Sequence, residues 1–445
     1  MSPLLLETRT LVRLAWPVSL AQMAQMSMQL VDTAMVGRVS GDAMAAVSLG
    51  GWWGFAIAIF GFGMMRGIDP IVAQAHGAGD DRAIGTALAR GVALAVLLAV
   101  PAGILVMLGE QGLRLLGQPP ELLAMAGQYA RVFALGVPAF LLFSIVRGVL
   151  QGQEIVRPTT IVIVAANIVN AAVNYCLIFG NFGFPALGVQ GAAFATVIST
   201  WFQLGLLVLL TRKQLARGWP GWRAGFALGP LLETARMGLP QGFQVASEVW
   251  SFLVAGFIIG TFGAAAVGGH TITMQLASVS FMIPLGVSVA AATRVGNLIG
   301  AGLPWRDAAV AAHLLGIGVM ALSAGLFALF PAQLAALFTT DPAVIALAIT
   351  FLPIAAAFQL FDGTQVVAFG VLRGAGDQTV PAIANVVGYW LLGLPIGAWL
   401  AIGAGWGPIG LWVGLALALA AVAILLLVRE RWTMKRGGFR IGMQS

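Results

Sequence analysis

The stretch FQLFDGTQVVAFGVLRGAGD spans residues 358–377 and places one carboxylate, Asp362, inside a long apolar run. The run begins near Ala343 and ends at Arg373, where a polar turn follows. At 1.5 Å per residue, a helix puts Asp362 about 16 Å from Arg373, close to the middle of a bilayer about 30 Å thick. A carboxylate at that depth is costly unless it is protonated, paired or bound to a cation. The stretch therefore predicts a membrane helix that holds a functional acid.

The composition of the whole chain is that of a membrane protein. Of its 445 residues, 60% are hydrophobic and 9% are charged, whereas a soluble domain has about 25% charged residues. The single Cys176 excludes a disulfide framework. The net charge of +7 does not indicate a nucleic-acid partner, because the basic residues lie in short loops between apolar runs. The N-terminus runs directly into a full-length apolar span, so we expect no cleaved signal peptide.

Apolar runs long enough to span a bilayer recur along the chain and predict an all-α integral membrane fold with twelve transmembrane helices. The runs cover residues 12–36, 46–70, 84–108, 126–149, 158–180, 188–210, 236–260, 268–292, 308–330, 344–370, 380–402 and 407–428.

The distribution of Lys and Arg predicts the orientation of these helices. Of the 23 basic residues, all but Arg38, Arg114 and Arg131 fall on one side of the twelve-helix topology. Cytoplasmic loops have an excess of Lys and Arg, so both termini are expected in the cytoplasm. For a bacterial protein, this places the chain in the inner membrane as a multi-pass protein.

The longest polar connection, about 211–235, divides the chain into two similar halves. Matching sequences recur 222 or 223 residues apart: Trp16-Pro17 with Leu239-Pro240, Gly77-Ala78-Gly79 with Gly300-Ala301-Gly302, and Gly148 to Gly152 with Gly370 to Gly374. Six helices per repeat start both halves on the same side of the membrane, which predicts parallel repeats. The expected domains are a six-helix bundle at 1–215, a cytoplasmic linker at 216–235 and a second six-helix bundle at 236–445. Repeats of this kind place a binding site near the membrane midplane.

Three carboxylates lie well inside predicted helices: Asp32, Glu248 and Asp362. Helical rise puts Glu248 near the same depth as Asp362. Such residues bind protons, ions or substrates, or else they hold helices together through hydrogen bonds to their neighbours. With oxygens such as those of Ser247, Ser251 or Thr364, the pair formed by Glu248 and Asp362 is also suited to a small monovalent cation, because hard cations prefer oxygen ligands.

Polar and aromatic residues near the acids are further candidates. Asn170 and Asn174 are four residues apart and therefore share a helix face, where they either bond a neighbouring helix or act beside Asp32. The rings of Trp250, Phe358 and Phe361 are candidates for holding a flat organic cation in a drug cavity, with ordinary packing as the alternative. The chain has no phosphate-binding loop, and its three His are scattered, so we expect no cofactor.

These features resemble the multidrug and toxic compound extrusion (MATE) family, and the NorM-type bacterial branch in particular. The resemblance rests on QLVDTAMVG in the first helix, the Glu of the seventh helix and the quoted stretch of the tenth. It implies two six-helix bundles in a V-shaped arrangement and a cation-coupled antiporter for cationic, amphipathic drugs. The family's first-helix acid falls on Asp32 with amide partners at Asn170 and Asn174, and its later acids fall on Glu248 and Asp362. A Tyr of that branch is replaced here by Phe358, so the ring is kept and its hydroxyl is lost.

The sequence therefore predicts a secondary transporter that exports cationic drugs in exchange for Na⁺ or H⁺. It is expected to work as a monomer among membrane lipids. A flippase, or an exporter of a lipid-linked or endogenous amphipathic metabolite, is the alternative. A membrane enzyme is not expected, because no His/Asp or metal constellation lies at a membrane face. A channel is not expected either, because no selectivity loop is evident.

Overall fold

The computed structural model describes residues 2–440, which form twelve long helices separated by short connections. The helices are α1 (Pro3–Gly37), α2 (Gly41–Gly77), α3 (Asp81–Met107), α4 (Pro120–Gly152), α5 (Arg157–Phe179), α6 (Val189–Leu215), α7 (Leu228–Gly260), α8 (Ala264–Gly300), α9 (Arg306–Leu329), α10 (Pro342–Gly374), α11 (Thr379–Gly403) and α12 (Pro408–Lys435). Eleven of them are long and apolar enough to cross a membrane. The remaining one, α1, is 35 residues long, and Gln and Ser side chains make its middle more polar. The predicted all-helical membrane fold is confirmed.

Polar side chains start several of these helices. Ser40 accepts a hydrogen bond from the backbone N–H of Ala43 at the start of α2. At the start of α10, Asp341 accepts one from Ala343 at 2.9 Å. Such caps satisfy backbone N–H groups that have no partner within the helix. The cap at Asp341 fixes where α10 begins, and with it the depth of Asp362 along the helix.

The chain forms two compact units whose boundaries fall inside α1 and α7. One unit contains the residues up to Ser19 and those from Phe243 onward, and the other contains Leu20–Gly242. The two boundaries are 223 residues apart, as are Pro17 and Pro240, which lie inside α1 and α7 just before them. Proline removes a backbone hydrogen bond, so a helix bends readily at these points. The domain boundaries expected from the sequence stay a prediction.

In the unit that contains α8–α12, the first part of α1 packs along α8. Glu7 accepts two hydrogen bonds from the Arg294 guanidinium, each 2.7 Å long. Farther along α1, the Ser19 hydroxyl donates to the backbone oxygen of Ile283 at 3.2 Å. An ion pair with two parallel hydrogen bonds fixes orientation as well as distance. These contacts explain why the start of α1 belongs to the unit built mainly from the second half of the chain.

The glycines of the repeated segment allow helices to approach closely. A Cβ atom at Gly370 in α10 would lie 2.2 Å from the backbone oxygen of Ser288 in α8. The equivalent Gly148 in the other unit faces only the side-chain oxygen of Asp69, at 2.9 Å. The α8–α10 contact therefore depends on Gly370 more strictly than its counterpart depends on Gly148.

Replacing Gly370 by alanine should force α8 and α10 apart. We expect a loss of about 1–3 kcal/mol in the free energy of unfolding, the usual cost of an overpacked contact. The measurement is thermal unfolding of the purified protein. Gly318→Ala in α9 is the matched control, because no atom lies within 4 Å of its Cβ position. Equal unfolding temperatures for the two variants would contradict the prediction.

Candidate functional site

The unit formed by Leu20–Gly242 contains a buried polar cluster around Asp32 in α1. The Asp32 carboxylate accepts a hydrogen bond from the Asn174 amide in α5 at 2.5 Å. The same amide donates to Asn170 at 3.1 Å, and both asparagines are fully buried. The structure therefore brings together the three polar residues singled out in the first half of the sequence. Their functional role stays a prediction.

The hydroxyl of Thr196 in α6 completes the contacts of Asp32. It donates to the second carboxylate oxygen at 3.1 Å, and Tyr129 of α4 lies beside Thr196. Sequence analysis missed both residues. A single Thr or Tyr in an apolar helix gives no distinctive signal, and only the packing of α4 and α6 against α1 and α5 reveals the contact.

The partners of the Asp32 carboxylate are all neutral. Asp32 is 8% exposed, and no ion pair within residues 2–440 includes it. Amide and hydroxyl donors stabilise a carboxylate through charge-assisted hydrogen bonds without cancelling its charge. The cluster is therefore suited to receive a cation or a proton.

The unit that contains α8–α12 holds the other two acids. Asp362 of α10 is 8% exposed and lies within electrostatic range of the half-buried Glu248 of α7. The amide nitrogen of Asn385 in α11 donates to Glu248 at 3.3 Å. Two carboxylates this close repel each other when both are ionised, so a shared proton or cation would stabilise the pair.

Neutral polar groups surround the pair. The Tyr389 hydroxyl of α11 is adjacent to the Gln365 side chain, one turn beyond Asp362, and lies within electrostatic range of both carboxylates. On α10 and the neighbouring α8, Gln359 accepts a hydrogen bond from Ser280 at 2.9 Å. Asn385, Tyr389 and Gln365 were not selected from the sequence, because neutral polar residues inside helices have many uses.

The three oxygen donors considered from the sequence differ in their surroundings. The hydroxyl of Ser251 donates to the backbone oxygen of Glu248 at 2.7 Å, and that of Thr364 donates to Leu360 at 2.8 Å. Both hydroxyl protons are therefore used within their own helices. The hydroxyl of Ser247 is buried and has no hydrogen-bond partner within residues 2–440. Ser247 is thus the one of the three whose hydroxyl is still available.

The aromatic candidates also differ in their surroundings. Phe358 is buried in an apolar cluster, with its ring 6.1 Å from the rings of Phe252 and Trp412. Phe361, on the opposite side of α10, is 37% exposed, and Trp250 is half-buried. Of these rings, Phe361 is the most accessible to a bound molecule in this conformation.

The cation-binding chemistry of both units is limited to carboxylates and neutral groups. Within residues 2–440, no three side chains of the His, Cys, Asp and Glu types converge as a metal-binding group. A transition-metal site normally needs such a set. A cation bound by Glu248 and Asp362 would complete its coordination with neutral oxygens.

A repeated twelve-helix fold with buried acids defines a polytopic membrane protein of the transporter class. The MatE family model matches the chain twice, at residues 17–176 and 240–399, again 223 residues apart. The chain is 36% identical to the probable multidrug resistance protein NorM of Rhizobium meliloti over 422 residues, 91% of this chain and 89% of that protein. It is also 36% identical to the multidrug resistance protein PmpM of Pseudomonas aeruginosa over 446 residues, 97% of this chain and 92% of PmpM.

Solved MATE structures share the fold. The eukaryotic MATE transporter AtDTX14 superposes with a TM-score of 0.85 at 23% identity, covering 98% of this chain and 99% of its own. An outward-facing multidrug resistance MATE transporter of the MOP superfamily gives a TM-score of 0.86 at 19% identity, covering 98% and 97%. The chain belongs to the MatE family of membrane transporters, as the resemblance in its helices predicted.

Proposed function

We propose that the protein exports cationic, amphipathic drugs from the cytoplasm in exchange for Na⁺ or H⁺. Relatives at 36% identity are named multidrug resistance proteins, which supports the drug-export part of the proposal. A bacterial inner membrane location with both termini in the cytoplasm accords with the distribution of basic residues.

The observation on which the proposal rests is the buried, negatively charged Asp32 with only neutral partners, Asn174 and Thr196. An ionised carboxylate within a membrane helix is stabilised by a bound cation. A protonated or ion-bound carboxylate no longer attracts a cationic drug. Ion and drug would therefore compete for the same negative charge, and competition of this kind couples their transport.

The exchange cycle needs a carrier that alternates between states open to either side. An ion that enters from outside neutralises the acids, and the cationic drug then leaves outward. After the ion is released inward, the acids are negative again and bind the next cationic drug. Coupling requires only that ion and drug bind the same conformations with different affinities.

The test is ethidium efflux from vesicles in which a pH gradient and a Na⁺ gradient are imposed separately. Efflux driven by Na⁺ at constant pH would assign coupling to Glu248 and Asp362. Efflux driven only by the pH gradient would assign it to Asp32 with Asn170 and Asn174. Efflux that responds to neither gradient would overturn the proposal and favour a flippase or an exporter of an endogenous amphipathic metabolite.

A further inference from the structure

The middle of α11 departs from regular helical geometry beside the two acids of α7 and α10. Residues Val387–Gly393 form a π-helical segment, in which the backbone N–H of Leu394 donates to the carbonyl oxygen of Tyr389. A π-helical turn is less stable than an α-helical one and occurs frequently at functional sites. This segment includes Tyr389 and follows Asn385 directly, so it determines where these two side chains lie.

Several buried oxygens near the acids have no hydrogen-bond donor within residues 2–440. They are the hydroxyl oxygens of Ser247 and Tyr389 and the amide oxygens of Gln365 and Asn385. Tyr389 is 1% exposed and Asn385 is fully buried, so bulk water does not reach either side chain. A buried polar atom without a partner costs free energy, and its persistence calls for an explanation.

The orientation of the Asn385 amide explains which of its atoms is unpartnered. Its nitrogen donates to Glu248, which is the favourable choice because the opposite orientation would turn the amide oxygen toward a carboxylate. The amide oxygen is consequently left without a donor. A nearby cation would satisfy that oxygen and the carboxylate at once.

A proton and a metal cation differ in what they need from a site. A proton needs a single carboxylate oxygen, whereas Na⁺ is coordinated by several oxygens, charged and neutral. Four buried oxygens without donors in addition to two carboxylates match the second requirement. The hydroxyl of Tyr389 also lies within electrostatic range of both acids.

We propose that α11 completes a small monovalent cation site. Glu248 and Asp362 supply its negative charge, and the oxygens of Tyr389, Asn385 and Gln365 act as neutral ligands. The inference deepens the proposed function, on which it rests, by naming Na⁺ as the ion that this unit accepts and Tyr389 as the residue that tunes its affinity. Each of three helices contributes here, since Glu248 is in α7, Asp362 and Gln365 are in α10, and the others are in α11.

The test is ion-dependent thermal stabilisation of the purified full-length protein. The unfolding temperature is measured as NaCl replaces choline chloride at constant ionic strength and pH, for wild type, Tyr389→Phe and Gln365→Met. Both substitutions remove a ligand oxygen and keep the size of the side chain. We expect Na⁺ to raise the unfolding temperature of wild type, and each variant to need about tenfold more Na⁺ for the same rise.

Tyr129→Phe is the matched control, because it removes another buried tyrosine hydroxyl in the unit that contains Asp32. Its Na⁺ dependence should equal that of wild type. If Tyr389 only donates a hydrogen bond to Gln365, Tyr389→Phe will unfold at a lower temperature in choline and keep the wild-type Na⁺ dependence. That result would overturn the proposal, as would a wild type that Na⁺ does not stabilise.

Ethidium efflux from vesicles of the same preparation separates this inference from the proposed function. Efflux driven by a pH gradient without stabilisation by Na⁺ would overturn the cation site and leave the proposed exchange intact. Efflux that responds to neither gradient would overturn the proposed exchange itself.

Discussion

Replacing Asp32 by asparagine is expected to reduce ion-driven drug export by at least about tenfold. The substitution keeps the shape of the side chain and removes the only charge in the cluster that Asn170, Asn174 and Thr196 form around it. Hydrogen bonds to a charged group are worth about 1.5–3 kcal/mol, which corresponds to roughly one to two orders of magnitude in affinity. A neutral amide at this position would neither attract a cationic drug nor take up a proton. Ethidium efflux and ethidium binding by the purified protein measure the two effects.

Asp42→Asn provides the control for this prediction, because Asp42 is an exposed carboxylate at the start of the next helix. It should export at the wild-type rate. The unfolding temperature of Asp32→Asn should remain close to that of wild type, because the new amide still accepts hydrogen bonds through its oxygen. Full export activity in a correctly folded Asp32→Asn variant would show that the cluster only holds helices together.

Much of the fold could be predicted from the sequence because membrane helices are recognisable by their composition. Runs of about 20 apolar residues have few alternatives to a spanning helix, since lipid offers the backbone no hydrogen bonds. The 223-residue offset read from Pro17 and Pro240 returns in the two matches of the family model. The π-helical segment at Val387–Gly393 had no such signal, because it arises from packing against α12 and not from a particular residue type.

The candidate sites were accessible to the sequence only in part. Carboxylates inside apolar runs are rare and expensive, so Asp32, Glu248 and Asp362 stood out. Their neutral partners did not, because Thr, Tyr, Asn and Gln are common in membrane helices. Asn170 and Asn174 were found because they repeat on one helix face, whereas Asn385 and Tyr389 share the same spacing but lacked a visible partner acid in their own helix.

The two halves share a fold and differ in their polar chemistry. At the repeat offset, the position of Asp32 corresponds to Ala255, and that of Glu248 corresponds to Gln25. Asp362 corresponds to Phe140, at an offset of 222. The acids of one half thus have no counterparts in the other. One unit holds a single acid with amide and hydroxyl partners, and the other holds a pair of acids, so we expect the two sites to perform different tasks.

The two acids of the second unit are expected to act on ion coupling as one group. Glu248→Gln and Asp362→Asn should each raise the ion concentration for half-maximal efflux, since either change removes half of the negative charge that binds the ion. The double variant should be hardly worse than the more affected single variant. Residues that share one partner are non-additive by about 0.5–3 kcal/mol, or roughly twofold to more than a hundredfold.

The contrast with Asp32→Asn makes this prediction specific. Asp32 lies in the other compact unit, and distant sites without shared partners have additive effects on free energy. Asp32→Asn combined with Asp362→Asn should therefore lose more than either single variant, to the point where no gradient drives efflux. The measurement is the same ion titration of ethidium efflux for all variants. Additive losses for Glu248→Gln with Asp362→Asn would mean that the two carboxylates bind separate ions, and driven efflux by the Asp32→Asn, Asp362→Asn variant would mean that neither acid is needed for coupling.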